Sequence, residues 1–358
     1  MDRTLSAPGK LFVAGEYAVL WGGLARVLAV GPRVRAFVRP RTDRRVDVLL
    51  AEGRLSGDAT PAGVRWEVPP SPGFLFVART LDLALRAVGQ DGPGFSVAFE
   101  SSPTVNGHKL GFGSSARACV LAAEAARVAT GATFDALKLA LVAHASAQGG
   151  KGSGADVAAC FAGDVVRYRR ADVSALITAA NVGGFGGALA RSAPVDVWRV
   201  SAPRLPLLYV FTGQSASTPG LIADVERRLD VPARQRFVAQ SDALGQALDE
   251  ALARGDFAAT RSATEGLQAL LFSLGPTRTE ALERIIALAA STGCVAKQSG
   301  AGGGDGCLVA APDVATRDAA QAAFEARGFV AAPIAPEPGL RGEALAPPAL
   351  VEWVTAAS

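Results

Sequence analysis

Four glycine-rich segments carry the side chains of this sequence that could do chemistry. The most informative reads GHKLGFGSSARACV, residues 107–120, and sets Gly111, Gly113 and Ala116 in a G-x-G-x-x-A pattern behind Lys109. A turn of this kind feeding a helix presents free backbone N–H groups and the positive end of the helix dipole, which favour an anion. Ser114 and Ser115 add hydroxyls that can meet phosphate oxygens or a magnesium ion. Three readings fit these letters: the pyrophosphate of a dinucleotide, the phosphates of ATP, and a tightly packed helix start with no ligand.

The dinucleotide reading meets two obstacles. Its fingerprint belongs to an early strand–turn–helix unit and needs an acidic residue about 20 positions on, at the end of the next strand. Here the motif lies past residue 100, and the acidic candidate, Asp135 in TFDALKLAL, begins a helix. A Walker A motif is missing too, because neither Gly9-Lys10 nor Gly150-Lys151 is followed by Ser or Thr.

The companion segments add charge. APGKLFVAGEYAVL brings Lys10 and Glu16; alone it reads equally well as an edge strand with a glycine turn. AHASAQGGKGSGADVAACFAG, residues 143–163, puts Asp156 in the first turn of an expected helix, where the dipole favours the ionised carboxylate. Taken alone, an Asp in the first helical turn more often reflects a helix-start preference. AKQSGAGGGDG, residues 296–306, packs glycines at a density that costs folding entropy, which a backbone approaching a ligand closely would justify. FTGQSAST sets Ser215, Ser217 and Thr218 at a helix start, where a second anion could dock.

Composition bounds the rest. The chain has 358 residues, 49% hydrophobic and 19% charged, which describes a globular protein too long for one core and therefore of two domains. A net charge of +3 is too small to argue for nucleic acid or an anionic membrane. No signal peptide and no apolar run of about 18 residues is present, so a cytoplasmic protein is expected. Cys119, Cys160, Cys294 and Cys307 lack C-x-x-C spacing, and two histidines exclude a His-rich metal site. Only five of 36 basic residues are lysines, and four of them lie in or beside glycine-rich segments. A lysine is a compact point charge suited to phosphate.

The elements that must position these residues are legible in outline. RVRAFVRP and RVDVLL alternate as half-buried strands, and GFLFVARTLDLALRAVG has helical spacing and stops at Gly89. GFSVAFES reads as a strand entering the glycine motif, followed by an alanine-rich helix from Ser114 to Thr130 and another over residues 134–148. The character changes near residues 202–203, which divides the chain into domains 1–202 and 203–358. The second half opens with a buried strand, LPLLYVFTG, and a helix with Thr218 as N-cap and Pro219 behind it. Helices over about 232–254, 257–274 and 277–291 follow, then strand, strand, helix and strand, the order of an α+β domain with an antiparallel sheet.

Read in order, PGKLFVAGEYAVL, GFGSSA and KQSGAGGGD make the chain resemble the GHMP kinases, over nearly its whole length and in the family's order. The resemblance implies a two-domain α+β fold: an N-terminal domain like ribosomal protein S5 domain 2 and a ferredoxin-like C-terminal domain. KLFVAGEYAVL, AQGGKGSGADVAA, FTGQSAST and AKQSGAGGGD are most similar to the phosphomevalonate kinase branch. Ala145 stands where mevalonate kinases usually carry a magnesium-binding Glu. The implied activity is ATP-dependent phosphorylation of (R)-5-phosphomevalonate in isoprenoid biosynthesis. Mevalonate kinase or another kinase acting on an alcohol is the nearest alternative, followed by a decarboxylase-like enzyme and a non-catalytic sensor.

By the same resemblance, ATP and Mg2+ are the cofactors, and the partner is a small phosphorylated acid rather than nucleic acid or membrane, for a monomer or homodimer. Lys10, Asp156 and Lys109 are expected to be catalytic. Lys109, Gly111, Gly113, Ser114, Ser115 and Ala116 are expected at the ATP phosphates, with Ser115 as magnesium ligand. Lys10, Glu16, Tyr17, Ser153, Gly154, Ser215, Ser217, Thr218, Lys297, Ser299, Gly302 and Gly303 are expected at the acceptor. The chain departs from the family pattern at Lys151, at Arg117 after GSSA, and in GPRVRAF, which lacks a frequent acidic residue.

Overall fold

The computed structural model describes residues 1–105, 108–150, 152–214 and 218–357; at residues 105, 108, 109, 218 and 219 it describes the backbone alone. β1 (Arg3–Ala14) leads through a short 3-10 turn into β2 (Leu24–Pro40), its antiparallel partner. β3 (Arg45–Leu50), β4 (Gly53–Thr60) and β5 (Gly63–Trp66) form a meander. α1 (Leu75–Val88) follows, stopped by left-handed Gly89, and then β6 (Phe95–Phe99), which lies between β2 and β3. A small hairpin, β7 (Thr104–Val105) and β8 (His108–Lys109), intervenes before α2 (Ser114–Thr130), so the expected direct passage from β6 into the glycine motif is interrupted.

α3 (Ala136–Ala147) is capped by Asp135, whose side chain accepts from the Lys138 N–H. α4 (Ala155–Ala162) leads to β9 (Val165–Arg169), α5 (Ser174–Val182), α6 (Phe185–Arg191) and β10 (Val197–Val200). The first sheet runs β10-β9-β2-β6-β3-β4-β5, with β1 on the other flank of β2. Strand alternation sorts its side chains: Ala36 and Val38 of β2 join the core beneath the alanine-rich helices, while Phe37 faces the opposite side.

The second sheet is antiparallel, built from β11 (Leu207–Phe211), β12 (Val295–Ser299), β13 (Gly306–Ala310) and β14 (Val330–Ile334) in the order β12-β13-β11-β14. Between them come α7 (Thr218–Arg228), α8 (Val231–Arg254), α9 (Phe257–Phe272), α10 (Glu280–Ser291) and α11 (Val314–Glu325). Counted from β11, the strand order 2-3-1-4 with helical crossovers is the ferredoxin-like topology expected from the sequence. Leu207, Tyr209 and Phe211 of β11 pack towards α8, α9 and β1, and Leu208 and Val210 towards α10 and α11. The chain then returns to the first sheet: β15 (Arg341–Glu343) pairs with β1, and α12 (Pro348–Ala357) covers Phe37 and Ala98. Residues beyond β14 thus pack on the N-terminal sheet, although the expected boundary placed them with the C-terminal domain. No helix among the described residues is long and apolar enough to cross a membrane.

One irregularity positions the chemistry. β1 shifts register against β2 between Ala7 and Gly9. Before the bulge Leu5 and Ala7 enter the core under the helices; after it Leu11 and Val13 enter the core shared with the second sheet. Between the Ala7–Val34 and Gly9–Val30 pairs β1 advances two residues and β2 four, and across this break the β1 side chains change faces. Lys10 is thereby turned towards the glycine turn ahead of α2.

Candidate active site

Lys10 holds that turn twice. Its backbone N–H donates to the Phe112 carbonyl at 3.2 Å, and its Nζ donates to the Gly111 carbonyl at 2.9 Å. The Tyr209 hydroxyl of β11 donates to the Leu110 carbonyl at 2.8 Å, so both sheets fix the same turn. Gly9 makes the approach possible, because a Cβ there would sit 2.8 Å from Phe112 Cβ. Gly111 and Gly113 have φ of 72° and 76°, in the left-handed region that glycine adopts without strain. A Cβ on Gly111 would lie 3.0 Å from Asp305 Cγ, which brings the C-terminal glycine segment against this turn. Gly113 caps α2 and has no side chain to cap the first-turn N–H groups. A helix start of this kind can bind an anion through its backbone. Ala116 can offer only backbone there, since its methyl is fully buried.

On the other side of the turn stand three polar side chains from three helices. Ser115 Oγ lies 3.0 Å from His144 Nε2, and Asp156 Oδ2 lies 3.7 Å from the same nitrogen. Asp156 is in the first turn of α4, as expected, and its Oδ1 accepts from the Val157 N–H at 2.9 Å. Tyr168 donates to the Ser153 carbonyl at 2.9 Å and fixes the loop before α4. Gly154 is glycine for packing, because its Cβ would meet Leu141 at 2.6 Å and the Tyr168 hydroxyl at 2.9 Å. This loop borders a cavity of ≈ 250 Å³ whose lining includes His144, Ala145, Ser153, Arg170 and Ser174. The structure thus gathers Lys10, Gly111, Gly113, Ser115 and Asp156 around one helix terminus.

Other expected acceptor residues serve a different purpose. Lys297 and Glu16 form an ion pair at 2.5 Å with side chains only 1% and 2% exposed. Lys297 also donates to the Gln298 carbonyl, and Glu16 Oε2 is buried with no partner. Tyr17, at φ 61°, donates to the Ala301 carbonyl, and Ser299 donates to the Phe12 carbonyl. Burial raises the Tyr17 pKa, with Glu16 adding to the shift. These four side chains clamp the segment after β1 onto the C-terminal glycine segment, with one Glu16 oxygen left unpartnered. Gly302 and Gly303 are likewise explained by packing, since Cβ atoms there would meet Thr277 and Leu221 at 2.7 Å. Arg117, the departure after GSSA, is buried; it donates to the Pro32 carbonyl and Ser102 Oγ, and its Nε has no partner. Burial lowers its pKa.

The Lys109 side chain, the side chain of Thr218, and all of Ser215, Ser217 and Lys151 lie outside the described residues. Sequence reasoning missed His144 and Tyr209. His144 carried a usable signal as one of two histidines, twelve residues before Asp156; Tyr209 read only as part of a buried strand.

Comparison with known proteins identifies the family. The model of the GHMP kinases N terminal domain matches residues 76–164, and that of the GHMP kinases C terminal domain matches residues 248–330. A phosphomevalonate kinase from Streptomyces sp. (strain CL190) is 31% identical, the alignment covering 92% of this chain and 96% of the relative. A mevalonate kinase from Aeropyrum pernix is 29% identical over 85% of this chain and 86% of its own. A Streptococcus pneumoniae phosphomevalonate kinase, solved with phosphomevalonate and AMPPNP, superimposes with a TM-score of 0.77 at 23% identity, covering 92% of this chain and 99% of that one. With both family models matched in order and a relative aligned nearly end to end, the chain belongs to the GHMP kinases and is a phosphotransferase of the two-domain GHMP kinase fold.

Proposed function

We propose that this enzyme transfers the γ-phosphoryl group of ATP to the phosphate of (R)-5-phosphomevalonate. The observation that carries the reading is Ala145. It lines the cavity beside His144 and Ser153, at the position where, by the family resemblance, mevalonate kinases usually carry a magnesium-binding Glu. Similarity over 96% of the Streptomyces phosphomevalonate kinase supports the same choice.

The residues fit MgATP. The uncapped start of α2 suits the β- and γ-phosphates. Among the described residues no cluster of three His, Cys, Asp or Glu could hold a metal by itself. Magnesium in kinases commonly takes one or two protein oxygens and completes its shell with phosphates and water. Ser115 Oγ and Asp156 would be those oxygens, and the bound ion would supply charge neutralisation between the phosphates.

Phosphoryl transfer has a loose transition state, so the protein chiefly positions the groups and offsets spreading charge. Lys10 is placed for that work: its bond to Gly111 uses one of the ammonium's three donors. A phosphate acceptor has a second pKa of about 6 and is already ionised at neutral pH, so little proton removal is required. Asp156 then acts chiefly through its charge. ADP release measured with MgATP and a panel of mevalonate, 5-phosphomevalonate, homoserine and galactose tests the proposal. Turnover confined to 5-phosphomevalonate is expected; turnover with an alcohol and none with the phosphate would overturn it.

A further inference from the structure

His144 is 3% exposed and has no place in the chemistry described so far. Its ring lies 5.4 Å from the Phe76 ring, centroid to centroid, and its Nε2 is the point where α2, α3 and α4 meet. Ser115 Oγ is 3.0 Å from that nitrogen, the Gln148 side-chain nitrogen 3.4 Å, and Asp156 Oδ2 3.7 Å. The last separation is too long for a hydrogen bond. The first two neighbours can both donate: Ser115 has a hydroxyl proton, and Gln148 presents its amide N–H. One nitrogen facing two donors is an acceptor, which places the ring proton on Nδ1.

The consequence falls on Ser115. A hydroxyl that ligates a cation does so with a lone pair, and its proton must go to an acceptor on the other side. Such outer partners orient a ligand and raise its basicity. We infer that His144 is a positioning residue of this site: its Nε2 accepts the Ser115 hydroxyl proton and turns the Ser115 lone pairs towards the phosphate-bound cation. The inference rests on Ser115 as a magnesium residue, and it is independent of which acceptor the enzyme uses. It also gives a physical role to the neighbour of Ala145, since an imidazole here orders the ligand from behind without adding a carboxylate.

Two measurements on the full chain test it. Because the protein has only two histidines, 15N-histidine labelling gives two ring signals, and the one lost in His144→Gln belongs to His144. The expected ring at neutral pH, without ligands, is the Nδ1-protonated tautomer; an Nε2-protonated ring overturns the inference. In the second measurement, MgADP binding is followed by calorimetry without any acceptor, so a wrong acceptor assignment leaves the result intact. His144→Leu should raise the magnesium concentration needed for half-maximal tight binding about 10–100-fold. His144→Gln, whose side-chain oxygen can still accept from Ser115, should restore most of that loss. In a Ser115→Ala background His144→Leu should cost nothing further. Equal losses in both backgrounds, or no rescue by Gln in a variant that melts like the parent, would reduce His144 to packing. If His144→Leu fails to fold, the tautomer and the Gln variant still decide. Unchanged magnesium dependence in Ser115→Ala sinks the reading of Ser115 itself, and the inference with it.

Discussion

Removing the ammonium of the Glu16–Lys297 pair isolates what the seam between the two sheets contributes. Both side chains are almost wholly buried, and one Glu16 oxygen already lacks a partner. Lys297→Met leaves a carboxylate whose remaining contact is the Gly300 N–H, at 3.5 Å. Breaking one side of such a pair costs about 3–5 kcal/mol, because the surviving charge stays buried and uncompensated. Replacing both partners removes that charge: Glu16→Leu combined with Lys297→Met should recover at least about 2 kcal/mol of the loss. Urea unfolding followed by far-UV circular dichroism and tryptophan fluorescence reads the difference. With a slope near 2 kcal/mol/M, the single variant should lower the midpoint by about 2 M. A single-variant loss under about 1 kcal/mol would refute the reasoning. So would single and double losses that add within about 0.5 kcal/mol.

Two further outcomes are expected. Lys10→Met should lose more kcat than Asp156→Asn, because an ionised acceptor needs charge neutralisation more than proton removal; steady-state kinetics showing a larger loss for the Asp variant would reverse that order. Burial pushes the Cys119, Cys160 and Cys307 thiols up from 9.0 to about 12, so the native protein keeps protons that the unfolded chain releases above pH 9. Stability is therefore complete below pH 9 and should fall as pH rises towards 12, by up to about 1.4 kcal/mol per pH unit for each thiol. Melting curves at pH 8, 9 and 10 would show it, and a flat profile would contradict the burial argument.

How much was legible followed the kind of signal. Lys10, the GFGSSA turn and Asp156 announced themselves because each sits where glycine frees the backbone beside a charge, and the fold brings them together. The ferredoxin-like half was legible because its strands and helices are separated by strong stops such as Gly255 and the Asp313 cap. Glu16, Tyr17, Lys297 and Ser299 share the same glycine-rich neighbourhoods, yet Glu16 pairs with Lys297 281 residues away, and Tyr17 and Ser299 donate to the similarly distant Ala301 and Phe12 carbonyls. A local reading cannot tell a side chain that faces a ligand from one that faces a distant segment. Gly302 and Gly303 show the same ambiguity, since glycine density signals close approach without saying what approaches. The irregularity between Ala7 and Gly9 was invisible as well: a local break in the ladder leaves no mark on composition but decides which way Lys10 points.

The return of residues 338–357 to the first sheet has a consequence for synthesis on the ribosome. β1 is made long before β15, which is bonded to it through Thr4, Leu5 and Ser6; Ser6 and Glu343 lie 337 residues apart. Ser6 donates to Glu343, and Arg33 donates to the Pro338 and Gly339 carbonyls, so these groups wait until residues 338–343 have been made. The N-terminal sheet therefore keeps one flank open until the second sheet has been made. A chain ending before residue 338 would carry every catalytic candidate and an unsealed edge.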